Sequence, residues 1–115
     1  MLKSVNRLRQ HKDFKEMGKK GKNVYSPLFN LRYLIVLEND TKFAIVISKK
    51  ISKKAVVRNR IKRQIREIVR LEIKNNTFKD NLNIVIYTKR LIIDKKYSEI
   101  EKELKYLFKK ARILK

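Results

Sequence analysis

Between Thr41 and Arg66 the chain carries ten Lys or Arg and no Asp or Glu. Ammonium and guanidinium groups at this density do one kind of chemistry: they hold phosphates, Arg through paired N–H donors and Lys as a point charge. The candidates are Lys49, Lys50, Lys53, Lys54, Arg58, Arg60, Lys62, Arg63 and Arg66, with Asn59 adding an amide. A cationic run without acids repels itself unless a polyanion covers it, so the partner it points to is a nucleic acid.

Other chemistries have few groups to work with. His11 is the only histidine and there are no cysteines, which removes His-based triads, multi-His zinc sites, thiolate metal sites and disulfides. The one dense acidic group, Glu99, Glu101 and Glu103, opens the last predicted helix, where it suits the positive end of the helix dipole. Two glycines, at 18 and 21, cannot build a phosphate-binding loop. Tyr33 and Tyr87 have the spacing either of base-stacking aromatics or of strand core residues.

The elements that must position the cations follow from periodicity. Val57, Ile61, Ile65 and Ile68 fall at i, i+4, i+8 and i+11, one stripe of a helix. Arg58, Asn59, Lys62, Arg63, Arg66 and Arg70 are expected on the opposite side, and Arg60 on the flank. Upstream, residues 11–17 read as a short helix closed by Gly18 and Gly21, and Pro27 after Ser26 marks a turn or strand start. Period-two alternation sets Phe29, Leu31, Tyr33, Ile35 and Leu37 on one face, with Asn30 and Arg32 on the other. Phe43, Ile45 and Ile47 continue it after the polar stretch 38–41, which predicts an antiparallel hairpin. Leu82–Thr88 suits a buried strand. Tyr97, Ile100, Leu104, Leu107, Phe108 and Ala111 form the stripe of a last helix, N-capped by Asp94 or by Ser98 with Glu101.

This order predicts one domain over residues 1–115: a two-layer α/β sandwich, a small mixed sheet with helices on one face. The balance of 32 Lys plus Arg against 11 Asp plus Glu gives a formal charge of +21, while 43% hydrophobic residues allow a packed core. No apolar run is long enough for a bilayer and the start lacks a signal-peptide pattern, so the expectation is a cytoplasmic protein.

From Ser48 to Arg66 the sequence resembles the protein component of bacterial ribonuclease P, whose signature is similar to S-K-K-x-G-x-A-V-x-R-N-R-x-K-R-x-x-R. Ser48-Lys49-Lys50, Ala55-Val56-Val57-Arg58-Asn59-Arg60-Ile61-Lys62-Arg63 and Arg66 match in order. The likeness extends to Arg7-Leu8, Asp13-Phe14 and Gly21, to Phe29 and Leu31, and to Tyr97, Leu104, Leu107, Phe108 and Lys109-Lys110. Three departures stand out: Ile51-Ser52-Lys53-Lys54 replaces a glycine-bearing link, Gly18 replaces an aromatic, and Arg32 replaces a tyrosine.

The resemblance implies a fold like a ribosomal protein S5 domain, with a left-handed crossover around the signature helix. It implies a 1:1 ribonucleoprotein with a catalytic RNA, which cuts the 5′ leader from precursor tRNA using Mg²⁺. The protein then carries no catalytic residue and holds no cofactor or metal of its own. It binds the RNA through the cationic residues above and the leader through Arg7, Phe14, Phe29, Arg32 and Tyr33. The alternatives from the residues alone are a structural ribosomal RNA-binding protein and an RNA-cutting enzyme acting by itself. A membrane-surface role is disfavoured because the basic helix needs its apolar face for the core.

Overall fold

The computed structural model describes residues 15, 18–36, 41–75, 77–79 and 81–114. Four strands, β1 (Lys22–Tyr25), β2 (Phe29–Ile35), β3 (Lys42–Val46) and β4 (Leu82–Thr88), form one sheet in the order β1-β2-β4-β3. Helix α1 (Ala55–Lys74) connects β3 to β4, and a 3₁₀ turn (Arg90–Asp94) leads from β4 to helix α2 (Tyr97–Lys110). Among the described residues no helix is long and apolar enough to cross a membrane.

The strand order overturns the predicted hairpin. β2 and β3 do not pair; β4 lies between them, antiparallel to β2 with Leu31 opposite Ile86, and parallel to β3 with Phe43 opposite Ile84. β4 is buried on both faces from Leu82 to Ile86, which suits its apolar Ile84-Val85-Ile86 run. The true hairpin is β1–β2, closed at Ser26: its N–H donates to Phe29 O at 2.9 Å, and its hydroxyl accepts from Phe29 N at 3.1 Å. Pro27 sits in that turn, where its missing N–H costs no ladder bond.

One sheet face makes the core. Phe29, Leu31, Phe43, Ile84 and Ile86 pack against Ile61, Ile65 and Ile68 of α1 and Ile100, Leu104, Leu107 and Phe108 of α2, all essentially without exposure. Burying each such side chain contributes roughly 1.5–3 kcal/mol, which fixes both helices to the sheet. Ile35, expected on this face, lies at the strand's end and is 73% exposed. The opposite face holds a smaller cluster in which Leu34, Ala44 and Tyr87 surround the buried Val85.

Two local expectations change. Residues 18–20 are helical, so Gly18 lies within its helix and only Gly21 ends it. The Arg32 guanidinium donates to Gly18 O at 3.0 Å, bringing this helical segment to the face away from α1 and α2. Neither Asp94 nor Ser98 caps α2; Lys96 is the N-cap, its N–H bonded to Glu99 Oε1 at 3.3 Å, and Asp94 ends the 3₁₀ turn. The predicted helix 11–17 (apart from Lys15), Leu37 and the turn 38–40 lie outside the described residues.

Candidate nucleic-acid interface

Helix α1 begins without an acidic residue or a side-chain cap in its first turn. Its stripe of Ile61, Ile65, Ile68 and Val69 is buried, so the positions on the other side are held outward by core packing. Asn59, Lys62, Arg63 and Arg66, at i, i+3, i+4 and i+7, line one surface depression of about 450 Å³ together with Val56. Lys62 and Arg66 are like charges four residues apart, as are Arg66 and Arg70; each such pair costs a helix roughly 0.2–0.5 kcal/mol. The ion pairs among the described residues are Arg70–Glu67, Lys95–Glu99 and Lys105–Glu72, so the depression's three cations are unneutralised there.

The acid-free stretch ends at Glu67. Arg70, expected among the outward cations, grips it with two bonds of 2.6 and 3.1 Å. The hydrogen bond from Arg70 holds the Glu67 carboxyl below its usual range, and the same contact raises Arg70. This arginine is therefore committed within the helix.

Arg58 and Arg60 depart from the predicted face. Arg58 lies about 20° from Ile65 on a helical wheel, so it starts from the inward side. It is half-buried, and its guanidinium donates to Ser52 O at 2.8 Å, pinning the loop before the helix. Arg60 is exposed on the flank and donates to Ile93 O at 3.1 Å, tying α1 to the 3₁₀ turn. Neither lines the depression that Arg63 and Arg66 share.

The link before α1 builds a second cationic concavity. Ser48 O accepts from Ile51 N at 3.0 Å and Ser48 Oγ from Lys50 N at 3.1 Å, closing a turn whose Ile51 is 6% exposed and anchored in the core. Lys49, Lys50 and Lys53 then stand around a depression of about 560 Å³ with Arg90, and Lys54 is exposed beside it at the N-cap. Arg90 was not foreseen. Parallel pairing of β3 and β4 brings their C-terminal ends together, and so places the residues after each strand side by side. The Lys89-Arg90 pair was visible in the sequence, but its neighbours were not.

The five leader residues do not form one surface. Arg7 and Phe14 lie outside the described residues. Phe29 has no exposure and sits in the core, and Tyr33, on the same face of β2, packs against that core. The Phe29 ring cannot stack on RNA without unpacking the sheet, while Tyr33 is partly exposed at the core's edge. Arg32 points from the other face, where Asn30, Tyr25 and Tyr87 share a cross-strand row beside it. Tyr25 is 55% exposed with Lys89 Nζ 5.5 Å from its ring centre. On this face Asn30 Oδ1, Arg32 Nε and Asn83 Oδ1 are buried without a hydrogen-bond partner.

No three His, Cys, Asp or Glu come together as a metal site among the described residues. Fold and site together define a basic α/β protein whose signature helix turns unpaired cations outward from a well-packed core. The ribonuclease P family model matches residues 2–112. A ribonuclease P protein component from Pseudanabaena is 37% identical, over 99% of this chain and 97% of its own length. One from Alkaliphilus oremlandii is 33% identical, over 98% and 96%. The ribonuclease P protein of Staphylococcus aureus superposes with a TM-score of 0.85 at 26% identity, covering 97% of this chain and 100% of that one. That of Thermotoga maritima gives 0.79 at 25%, covering 90% and 96%. The chain belongs to the ribonuclease P protein family. It is thus a subunit of the ribonucleoprotein endoribonuclease of tRNA 5′ maturation, associated with the ribonuclease P RNA.

Proposed function

We propose that the outward face of α1 is where this protein grips the ribonuclease P RNA, with Asn59, Lys62, Arg63 and Arg66 on the phosphate backbone. The single observation that carries this reading is the shared depression those residues line, free of acid until Glu67. Lys49, Lys50, Lys53 and Lys54 extend the contact along the preceding turn. Arg58 and Arg60 act mainly as positioning groups, each using one N–H on a carbonyl while keeping other donors for RNA.

The 5′ leader of precursor tRNA is proposed to meet the sheet face opposite α1 and α2. Exposed Tyr25, the half-buried Tyr87 and the orphaned polar atoms of Asn30 and Arg32 support this. Arg7 and Phe14 enter the proposal by resemblance alone. Mg²⁺ held by the RNA supplies the hydrolytic chemistry; this chain's residues bind, orient and neutralise charge. We place the protein as one monomer per RNA, in the cytoplasm.

The test is precursor-tRNA cleavage by the cognate RNA at low Mg²⁺, with and without the chain. Cleavage restored by wild type but not by Lys62→Gln/Arg63→Gln/Arg66→Gln supports the reading. Equal restoration by both proteins contradicts it.

A further inference from the structure

The C-terminal half of α2 carries a second cationic surface that α1 does not explain. Lys102, Lys105, Tyr106, Lys109 and Lys110 are all exposed, Tyr106 at 57%. They share the side of the helix away from Leu104, with Tyr106 flanked by Lys102 at i−4 and Lys110 at i+4. The acids of α2 are spent elsewhere: Glu99 pairs with Lys95, and Glu103 accepts from Leu28 N at 3.2 Å. Lys105 alone of these lysines has an ion-pair partner among the described residues, Glu72 of α1 at 3.6 Å. Between this surface and the α1 depression lie the Arg70–Glu67 and Lys105–Glu72 ion pairs, so the two cationic surfaces are separated by neutralised charge.

Cations in a last helical turn complement the helix dipole, and Lys109 and Lys110 suffice for that. Arg112 is not explained so. It holds φ 58°, the left-handed position of a Schellman motif, with Arg112 N on Lys109 O at 3.1 Å and Ile113 N on Phe108 O at 3.3 Å. Glycine fits that backbone without strain and arginine does not. An exposed tyrosine flanked by lysines, with a further cation at a strained position six residues on, matches the chemistry of a single-stranded nucleic-acid platform. The ring stacks on a base and the cations meet its flanking phosphates.

We propose that this face of α2 is a second RNA-binding surface, which takes single-stranded RNA with one base stacked on Tyr106. Lys102, Lys109, Lys110 and Arg112 hold the adjacent phosphates. The inference rests on the chain working beside RNA, not on which side of α1 meets it.

The experiment uses the full chain and a labelled twelve-nucleotide oligouridine, with affinity measured across a salt series. Tyr106→Leu should weaken binding by about tenfold or more, while Tyr106→Phe stays within about twofold of wild type. Lys109→Gln/Lys110→Gln should lower the salt slope by about 1.4. Arg112→Gly should weaken binding yet raise the melting midpoint by about 4 °C. Wild-type binding by the Tyr106→Leu, double-lysine and Arg112→Gly variants would overturn the proposal, as would equal losses in Tyr106→Phe and Tyr106→Leu. Arg63→Gln/Arg66→Gln, measured alongside, separates the two readings. Loss only in the α2 variants supports this surface and leaves the α1 reading to the assay with the ribonuclease P RNA; loss only in the α1 variant would overturn this one.

Discussion

Ile65→Ala and Arg63→Gln probe opposite sides of one helix, and the structure assigns them opposite effects. Ile65 is fully buried between α1 and the sheet. Truncation removes three carbons, worth roughly 2.4 kcal/mol at ~0.8 kcal/mol each. If the space does not collapse, a void of about 80 Å³ adds roughly 1.9 kcal/mol at 24 cal/mol per Å³. The expected loss is therefore about 2–4 kcal/mol. For 115 residues the unfolding entropy is about 0.24 kcal/mol/K, which turns this into a midpoint drop of about 8–17 °C. Arg63 is exposed beside other cations, so Arg63→Gln should shift stability by no more than about 0.5 kcal/mol, or about 2 °C. Circular-dichroism melts give the first quantity, and RNA titrations at a temperature where both variants are folded give the second. Arg63→Gln should lose affinity and about 0.9 of salt slope, whereas Ile65→Ala should bind as wild type. The reasoning is refuted if Arg63→Gln unfolds the domain while Ile65→Ala melts normally and abolishes binding. The apolar stripe would then be the interface.

Two further outcomes are expected. A Cβ added at Gly18 meets nothing within 4 Å and the backbone there is helical, so Gly18→Ala should stabilise by up to about 1 kcal/mol in denaturant titrations. A destabilised variant would show that the bare backbone is needed where Arg32 docks on the Gly18 carbonyl. The lowered Glu67 carboxyl means that its contact with Arg70 stabilises the fold above the ordinary glutamate range and is lost as pH falls through the lowered value. Melting midpoints of wild type and Glu67→Gln should thus differ slightly at neutral pH and converge as pH falls through the lowered carboxyl value, and a gap that widens on acidification would contradict the assignment.

Much of this was legible because the local pattern and the packing agree. The stripe of Ile61, Ile65 and Ile68 determined which side of α1 is buried, and with it the outward course of Lys62, Arg63 and Arg66. Arg58 was misplaced because a wheel drawn from the whole stripe overlooks that it sits near the Ile65 direction, where only a loop carbonyl receives it. β1 escaped notice since Lys22–Tyr25 is a four-residue edge strand with one inward apolar side chain, Val24, against the core. The insertion of β4 between β2 and β3 depends on a crossover through α1, which alternation within each strand does not encode. That same pairing decided the site: parity set Phe29 and Tyr33 together, but only the packed helices show that their face is the core and that Arg32 works on the other.

The most direct measurement is the salt dependence of affinity for the ribonuclease P RNA, wild type against Lys62→Gln/Arg63→Gln/Arg66→Gln. With three phosphate contacts removed, the slope of log K against log [salt] should become shallower by about 2.7, with much weaker binding at low salt and an unchanged melting midpoint. An identical slope and affinity in a folded variant would contradict the claim that the outward face of α1 holds the RNA.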